Sequence, residues 1–345
     1  PAAFPDGIPA IGLRSAADPG TVSAWETLAN AHCRFDLPQL LQPAIDYAAS
    51  GFPISHALSR AITDSRTKLG SSATGLELFF PAGQPLQPGA ILVQEDLAGT
   101  LRAVAEGGAD AFYRGEYAAK LDAWSRANDG WLTAADLAGY ECETLEPIYS
   151  DYRGYCIAGQ PPVSQGYVVL GELNIAAGYD LAASGFGATD TVHTMIEAKK
   201  LAFADRHSNL GDPEHVDFDI ERLLSDEFAE QRRAQIDPDR AAHEPPPGDV
   251  GAGSDTTVLA AVDAEGNAIT FIQSLFEGFG CGVIADGTGV VLNNRTTGFS
   301  LDPAAPNYLQ PGKRTMHTLN TYMVLRDGRP WLLGGTPGGH YQVQT

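Results

Sequence analysis

At Asp255–Thr256 the sequence changes its period, and this limits the fold more than any other feature. Upstream, apolar residues recur at helical spacing. Downstream they alternate, as in half-buried strands. The stretch "PPPGDVGAGSDTTVLAAVDAEGNAIT" (245–270) carries the change: a Pro/Gly-rich segment, then Ser254-Asp255-Thr256-Thr257, then at once an apolar alternation. A chain of helices followed by a chain of strands belongs to the α+β class. The expected division is a mostly helical part, 1–255, ending in a mobile linker over 234–255, and a mostly β part, 256–345. The two would form one intertwined domain.

Upstream, "GTVSAWETLANAHCRF" puts Val22, Trp25, Leu28 and Ala29 on one helical face, with Thr21 as cap. "QEDLAGTLRAVAEGG" aligns Leu97, Leu101 and Val104 and should stop at its Gly pair. "DTVHTMIEAKKLAFADRHSNLGDP" groups Val192, Met195 and Ile196, breaking at Gly211-Asp212-Pro213. Downstream, "TTVLAAVD" and "AITFIQSLF" flank the turn "AEGN". "GVVLNN" reads as a strand, and "TYMVLRDGRPWLLGG" as a hairpin about Asp327-Gly328.

Composition mainly excludes. With 345 residues, 43% of them hydrophobic, the chain can bury a large core. A net charge of -21 argues against nucleic acid and anionic membrane surfaces as partners. No apolar run is long enough for a membrane span. Cys33, Cys142, Cys156 and Cys281 form no metal-ligand spacing, and no metal or organic cofactor is expected. "PGKRT" lacks the upstream glycine of a phosphate-binding loop. The chain opens at Pro1 without Met, so a fragment is expected. A cytoplasmic location is slightly favoured over a periplasmic or secreted one.

A threonine hydroxyl is a weak nucleophile unless a base lies within hydrogen-bond reach. One arrangement supplies the base with no second residue. If Thr256 is the first residue of a chain, its own α-amine, with a pKa near 8, can take the proton. That requires cutting between Asp255 and Thr256, and the end of a bendable linker is a suitable place. Taken alone, two threonines at the start of a strand are unremarkable.

Several segments together carry a resemblance: "SDTTVLAAVDAEGNAITFIQSLFEGFGCGVI", "PIYSDYRGY" followed by "PPVSQG", "AKKLAFADRHSNLGDPEHV", "VVLNNR…FS", "PGKRTMHTL" and "LLGGTPGG". Nearly the whole chain resembles the gamma-glutamyltransferase family of N-terminal nucleophile hydrolases. The resemblance implies a four-layer αββα sandwich and a precursor that cuts itself at Asp255–Thr256. The cut yields large and small subunits, an arrangement compatible with a homodimer of processed heterodimers. It makes Thr256 the nucleophile, Ser274 its hydroxyl partner, and Gly338 and Gly339 the backbone donors to an oxyanion. Asp205, Arg206 and His207 read as a structural network.

The head-group positions depart from the family. Arg295, beside Asn294, stands for a Gln, and Gly298 for the acid that binds a glutamyl amine. Phe276 stands for an Asn, and His317-Thr318 for the Ser-Ser pair that holds the carboxylate. An ammonium would lose its partner, whereas a carboxylate would gain a guanidinium fork. His317 reads either as a donor to that carboxylate or as a packed histidine. The pattern is closer to the oxamate amidohydrolase-like branch, with small amides of acids lacking the α-amine as substrates. A true gamma-glutamyltransferase with a divergent pocket, and an inactive relative serving as a binding protein, are the alternatives.

Overall fold

The computed structural model describes residues 3–243 and 255–344, with Asp255 described by its backbone alone. Of the expected linker, residues 244–254 lie outside the described residues. The strands are β1 (Phe52–Pro53), β2 (Ile91–Leu92), β3 (Ile148–Tyr152), β4 (Tyr155–Gly159), β5 (Asp255–Val262), β6 (Ala268–Phe276), β7 (Thr321–Arg326) and β8 (Arg329–Gly335). Contacts divide the chain into two compact units: Leu145–Ser274 with Gly298–Thr345, and Ala2–Thr144 with Leu275–Thr297.

In the first unit, β3-β4-β7-β8 form one sheet, antiparallel at each pairing. The β3–β4 hairpin turns at Arg153-Gly154, with φ of 55° and 83°, and the β7–β8 hairpin turns at Asp327-Gly328, with φ of 51° and 72°. Such positive pairs match the twist of the flanking strands. Helix Gly166–Ala176 packs on β3 and β4, joining Leu170 to Ile157 and Val324, and helix Thr189–Asn209 packs on that helix. β5 pairs with β6 across the turn Asp263–Asn267, where the Asn267 N–H donates to Asp263 Oδ1 at 2.8 Å. β5 also lies against β8.

The second unit is helical. Helix Leu37–Ser50 starts with a capping box in which Asp36 and Gln39 satisfy each other's backbone N–H. It buries Leu37, Leu41, Ile45 and Ala48 against helix Glu95–Tyr113. Tyr113, Leu121, Leu137 and Val283 complete this core.

Four expectations need correction. Gly20, not Thr21, caps helix Thr21–His32. Helix Glu95–Tyr113 does not end at its Gly pair. It bends at Gly108, φ 67°, and continues, because Phe112 and Tyr113 beyond the bend are buried in the core. Helix Thr189–Asn209 leaves Val192, Met195 and Ile196 exposed and buries Thr194, Glu197, Asp205 and Arg206 instead; Glu197 pairs with Lys200, Asp205 with Arg232 and Arg206 with Gln165. "GVVLNN" makes only a single bridge, Ile284 to Val291. Its flanking loop needs left-handed backbone at Gly287 and Gly289, which no extended strand provides.

Candidate active site

Thr256 stands second in β5, which pairs with β6. Its Oγ1 donates to Ser274 Oγ, near the end of β6, at 3.0 Å. The two hydroxyls expected to pair are therefore within hydrogen-bond reach. Thr256 is only partly buried, and Thr257 is exposed.

Gly338 and Gly339 follow β8. Their φ values are 142° and 57°, and nothing lies within 4 Å of a Cβ built on Gly339. A side chain there is opposed by backbone conformation rather than by space. The segment that bears His317 and Thr318 runs beside Val163–Gln165: the His317 N–H donates to Val163 O at 3.1 Å, and the Gln165 N–H to His317 O at 3.2 Å. Thr318 is buried.

Gln165 lies at the centre of this region and is 0% exposed. Its Nε2 donates to Thr318 O at 2.9 Å and to Gly339 O at 3.2 Å. Its Oε1 accepts from Arg206 Nη1 at 2.6 Å. Burial lowers the Arg206 pKa to about 10, while Tyr167 and Glu172 favour its charged form. Arg206 thus stays cationic at neutral pH. Asp205 pairs with Arg232, so this run is the structural network the sequence suggested, with one arm reaching the glycine loop.

A second clamp holds the same segment. Asp212 accepts the Arg314 N–H at 2.9 Å and Arg314 Nη2 at 2.6 Å. Burial would raise the carboxyl, but the bonds from Arg314, with that from the Glu214 N–H, hold it at about 2. The "LGDP" and "PGKRT" motifs are each other's partners.

Gly298 has no room for a side chain. A Cβ there would lie 2.9 Å from Thr315 Oγ1 and 3.2 Å from Met316 O, while Gly298 O accepts from Asn307 Nδ2 at 2.6 Å. Thr315 fills the space beside Gly298.

Phe276, Asn294 and Arg295 belong to the second unit. The Arg295 guanidinium lies over the Phe276 ring, 4.5 Å from its centroid, within cation–π range. Burial lowers the Arg295 pKa to about 10, which still leaves it charged at neutral pH. Phe276 has φ 81°, a conformation that bulky residues seldom adopt. Asn294 is 0% exposed: its Oδ1 accepts the Glu277 N–H at 3.2 Å and its Nδ2 donates to Ala10 O at 3.2 Å. It fastens the segment after β6 rather than presenting a polar group outward. Gln165 escaped the sequence reading because one glutamine in a Pro-rich loop has no period. Its only signal was its place in "PPVSQG", a segment that carried the resemblance without giving the glutamine a role.

Among the described residues, no group of three or more His, Cys, Asp or Glu side chains is placed to hold a metal, and no helix is long and apolar enough to cross a membrane.

Comparison with known proteins gives one consistent neighbourhood. A family profile described as Gamma-glutamyltranspeptidase matches residues 2–345. The glutathione hydrolase-like YwrD proenzyme of Bacillus subtilis is 39% identical over 339 residues, 98% of this chain and 64% of that protein. The oxamate amidohydrolase proenzyme of Klebsiella pneumoniae is 36% identical over 332 residues, 94% of this chain and 62% of that protein. The crystal structure of cephalosporin acylase from Bacillus halodurans superimposes with a TM-score of 0.88 at 35% identity, covering 98% of this chain and 62% of the acylase. The chain therefore spans under two thirds of the length of these relatives.

Proposed function

Because this chain belongs to the gamma-glutamyltranspeptidase family, we propose that it is part of a self-processing amide hydrolase whose nucleophile is Thr256. The observation that carries the reading is the 3.0 Å bond from Thr256 Oγ1 to Ser274 Oγ at the head of a paired strand. In the precursor, Thr256 Oγ attacks the carbonyl of Asp255, and the resulting ester hydrolyses to leave Thr256 with a free α-amine. In turnover, that amine takes the hydroxyl proton while Oγ attacks the substrate amide. Negative charge develops on the carbonyl oxygen, where the N–H groups of Gly338 and Gly339 would stabilise it. The amine passes its proton to the leaving group, and water then cleaves the acyl ester. Ser274 holds the Thr256 rotamer throughout.

The proposed substrate class is a small amide of an acid that lacks an α-amine. Gly298 offers no carboxylate to an ammonium, and Thr315 fills the space one would need. Arg295, cationic and stacked on Phe276, is the proposed partner of a substrate carboxylate.

The test uses the complete gene product and compares glutaryl anilide with gamma-glutamyl anilide, which differ by that one amine. Glutaryl anilide should have the larger kcat/KM by about tenfold, the scale of one charge-assisted contact. The reverse preference would favour a glutathione hydrolase or transferase, the reading suggested by the name of the Bacillus subtilis relative. A single band on a denaturing gel, with no turnover of either anilide, would leave a binding protein.

A further inference from the structure

Gln165 belongs to no motif that bears chemistry, yet its side chain makes three hydrogen bonds beside the glycine loop. Its backbone N–H and its Nε2 donate to three peptide carbonyls from two distant segments, and its Oε1 accepts from Arg206. An amide placed this way has no spare orientation. Rotating it by 180° would aim an oxygen at two carbonyl oxygens and an NH2 group at Arg206. Arg206, 3% exposed and lying over the Phe203 ring at 4.5 Å, fixes that orientation by donating to Oε1. The bond to Gly339 O fixes one carbonyl of a glycine pair whose φ values are both positive, and glycine backbone would otherwise be free to turn. A further tie runs in parallel: the Asn320 N–H donates to Gln342 Oε1 at 2.9 Å.

We infer that Gln165, oriented by Arg206, is a positioning residue for the reaction. It sets the Gly338–Gly339 loop and the His317–Thr318 segment at a fixed separation by donating to one carbonyl of each. This rests on the reading that the glycine loop receives the oxyanion. The described bonds of the Gln165 side chain go to Thr318, Gly339 and Arg206. Gln165 acts by holding Gly339, and a small displacement of such a donor costs turnover far more than it costs folding.

Gln165→Glu separates the two. Glutamate keeps the length and the acceptor for Arg206, and an ion pair replaces the neutral bond there. It removes both donors and sets an oxygen against Thr318 O and Gly339 O. In complete, processed enzyme, Tm should fall by a few degrees at most, because the new ion pair offsets part of the two lost bonds. The kcat for the anilide substrate should nonetheless fall by about ten- to a hundredfold, with KM changed much less. Gln165→Met, of similar length and without charge, should lose kcat in the same way. Wild-type small subunit beginning at a residue other than Thr256 would remove the parent reading and this assignment with it. If wild type is cut at Thr256 and both variants turn over within about twofold of it, the positioning role alone is overturned. Failure of both variants to fold, or a kcat loss that only follows loss of Tm, would make Gln165 a structural residue and also overturn the assignment.

Discussion

Helices Glu95–Tyr113 and Thr189–Asn209 are nearly equal in length, 19 and 21 residues, and hide opposite kinds of side chain. The first buries Leu101, Val104, Phe112 and Tyr113 in the core of its unit. The second buries Thr191, Thr194, Glu197, Asp205 and Arg206, and leaves Met195 56% exposed. Apolar burial is non-directional: it stabilises a shape without fixing any one atom. Buried hydrogen bonds are directional, and each must be met or lost at a cost. The first helix supplies a scaffold. The second supplies, through Arg206 and Gln165, a frame whose atoms have set positions.

That contrast can be tested by substitution. The largest effect should come from Thr256→Ala in the complete precursor: neither cleavage nor turnover, with folding retained, because one hydroxyl serves both steps. Any amide turnover near the wild-type rate would remove Thr256 from the site. Gly339→Val places a β-branched residue at φ 57°, which it resists, and should lower kcat by roughly two to three orders of magnitude, the scale of one lost oxyanion donor. Unchanged kcat in a folded variant would show that the loop holds no oxyanion. Arg295→Gln should cut the preference for glutaryl over gamma-glutamyl anilide by about tenfold, and an unaltered ratio would separate Arg295 from the acyl group. The smallest effect on activity belongs to the scaffold. Leu121→Ala, at a position 1% exposed, should cost about 2–5 kcal/mol of stability in denaturant unfolding. Its folded fraction should keep the wild-type kcat/KM. A large kcat loss there would erase the distinction between scaffold and frame.

The same contrast explains what the sequence revealed. Apolar period placed the helices beginning near Thr21 and Glu95, the hairpin about Asp327-Gly328 and the turn before β6, since each is decided by local chemistry and by what it buries. The α+β fold of the N-terminal nucleophile hydrolase type was legible through ordered motifs, and Thr256 with Ser274 through their places in them. Period misjudged helix Thr189–Asn209 because it assumes that apolar residues face inward, whereas this helix turns its charged side chains to partners on other elements. Gln165 and the Asp212–Arg314 clamp were hidden for a related reason: each joins residues far apart in sequence, and no spacing rule reaches that far. Gly298 was read from sequence as the place of an absent carboxylate, whereas the closeness of Thr315 to it is a property of packing alone.

The central claim is that the hydroxyl at the head of β5 becomes a chain terminus. The most direct measurement is N-terminal sequencing of the smaller fragment released by the complete wild-type precursor, run beside Thr256→Ala. Wild type should yield a fragment beginning Thr256-Thr257-Val258, and the variant should yield none. A wild-type fragment that begins at another residue, or a variant that is still cut at Asp255, would contradict it.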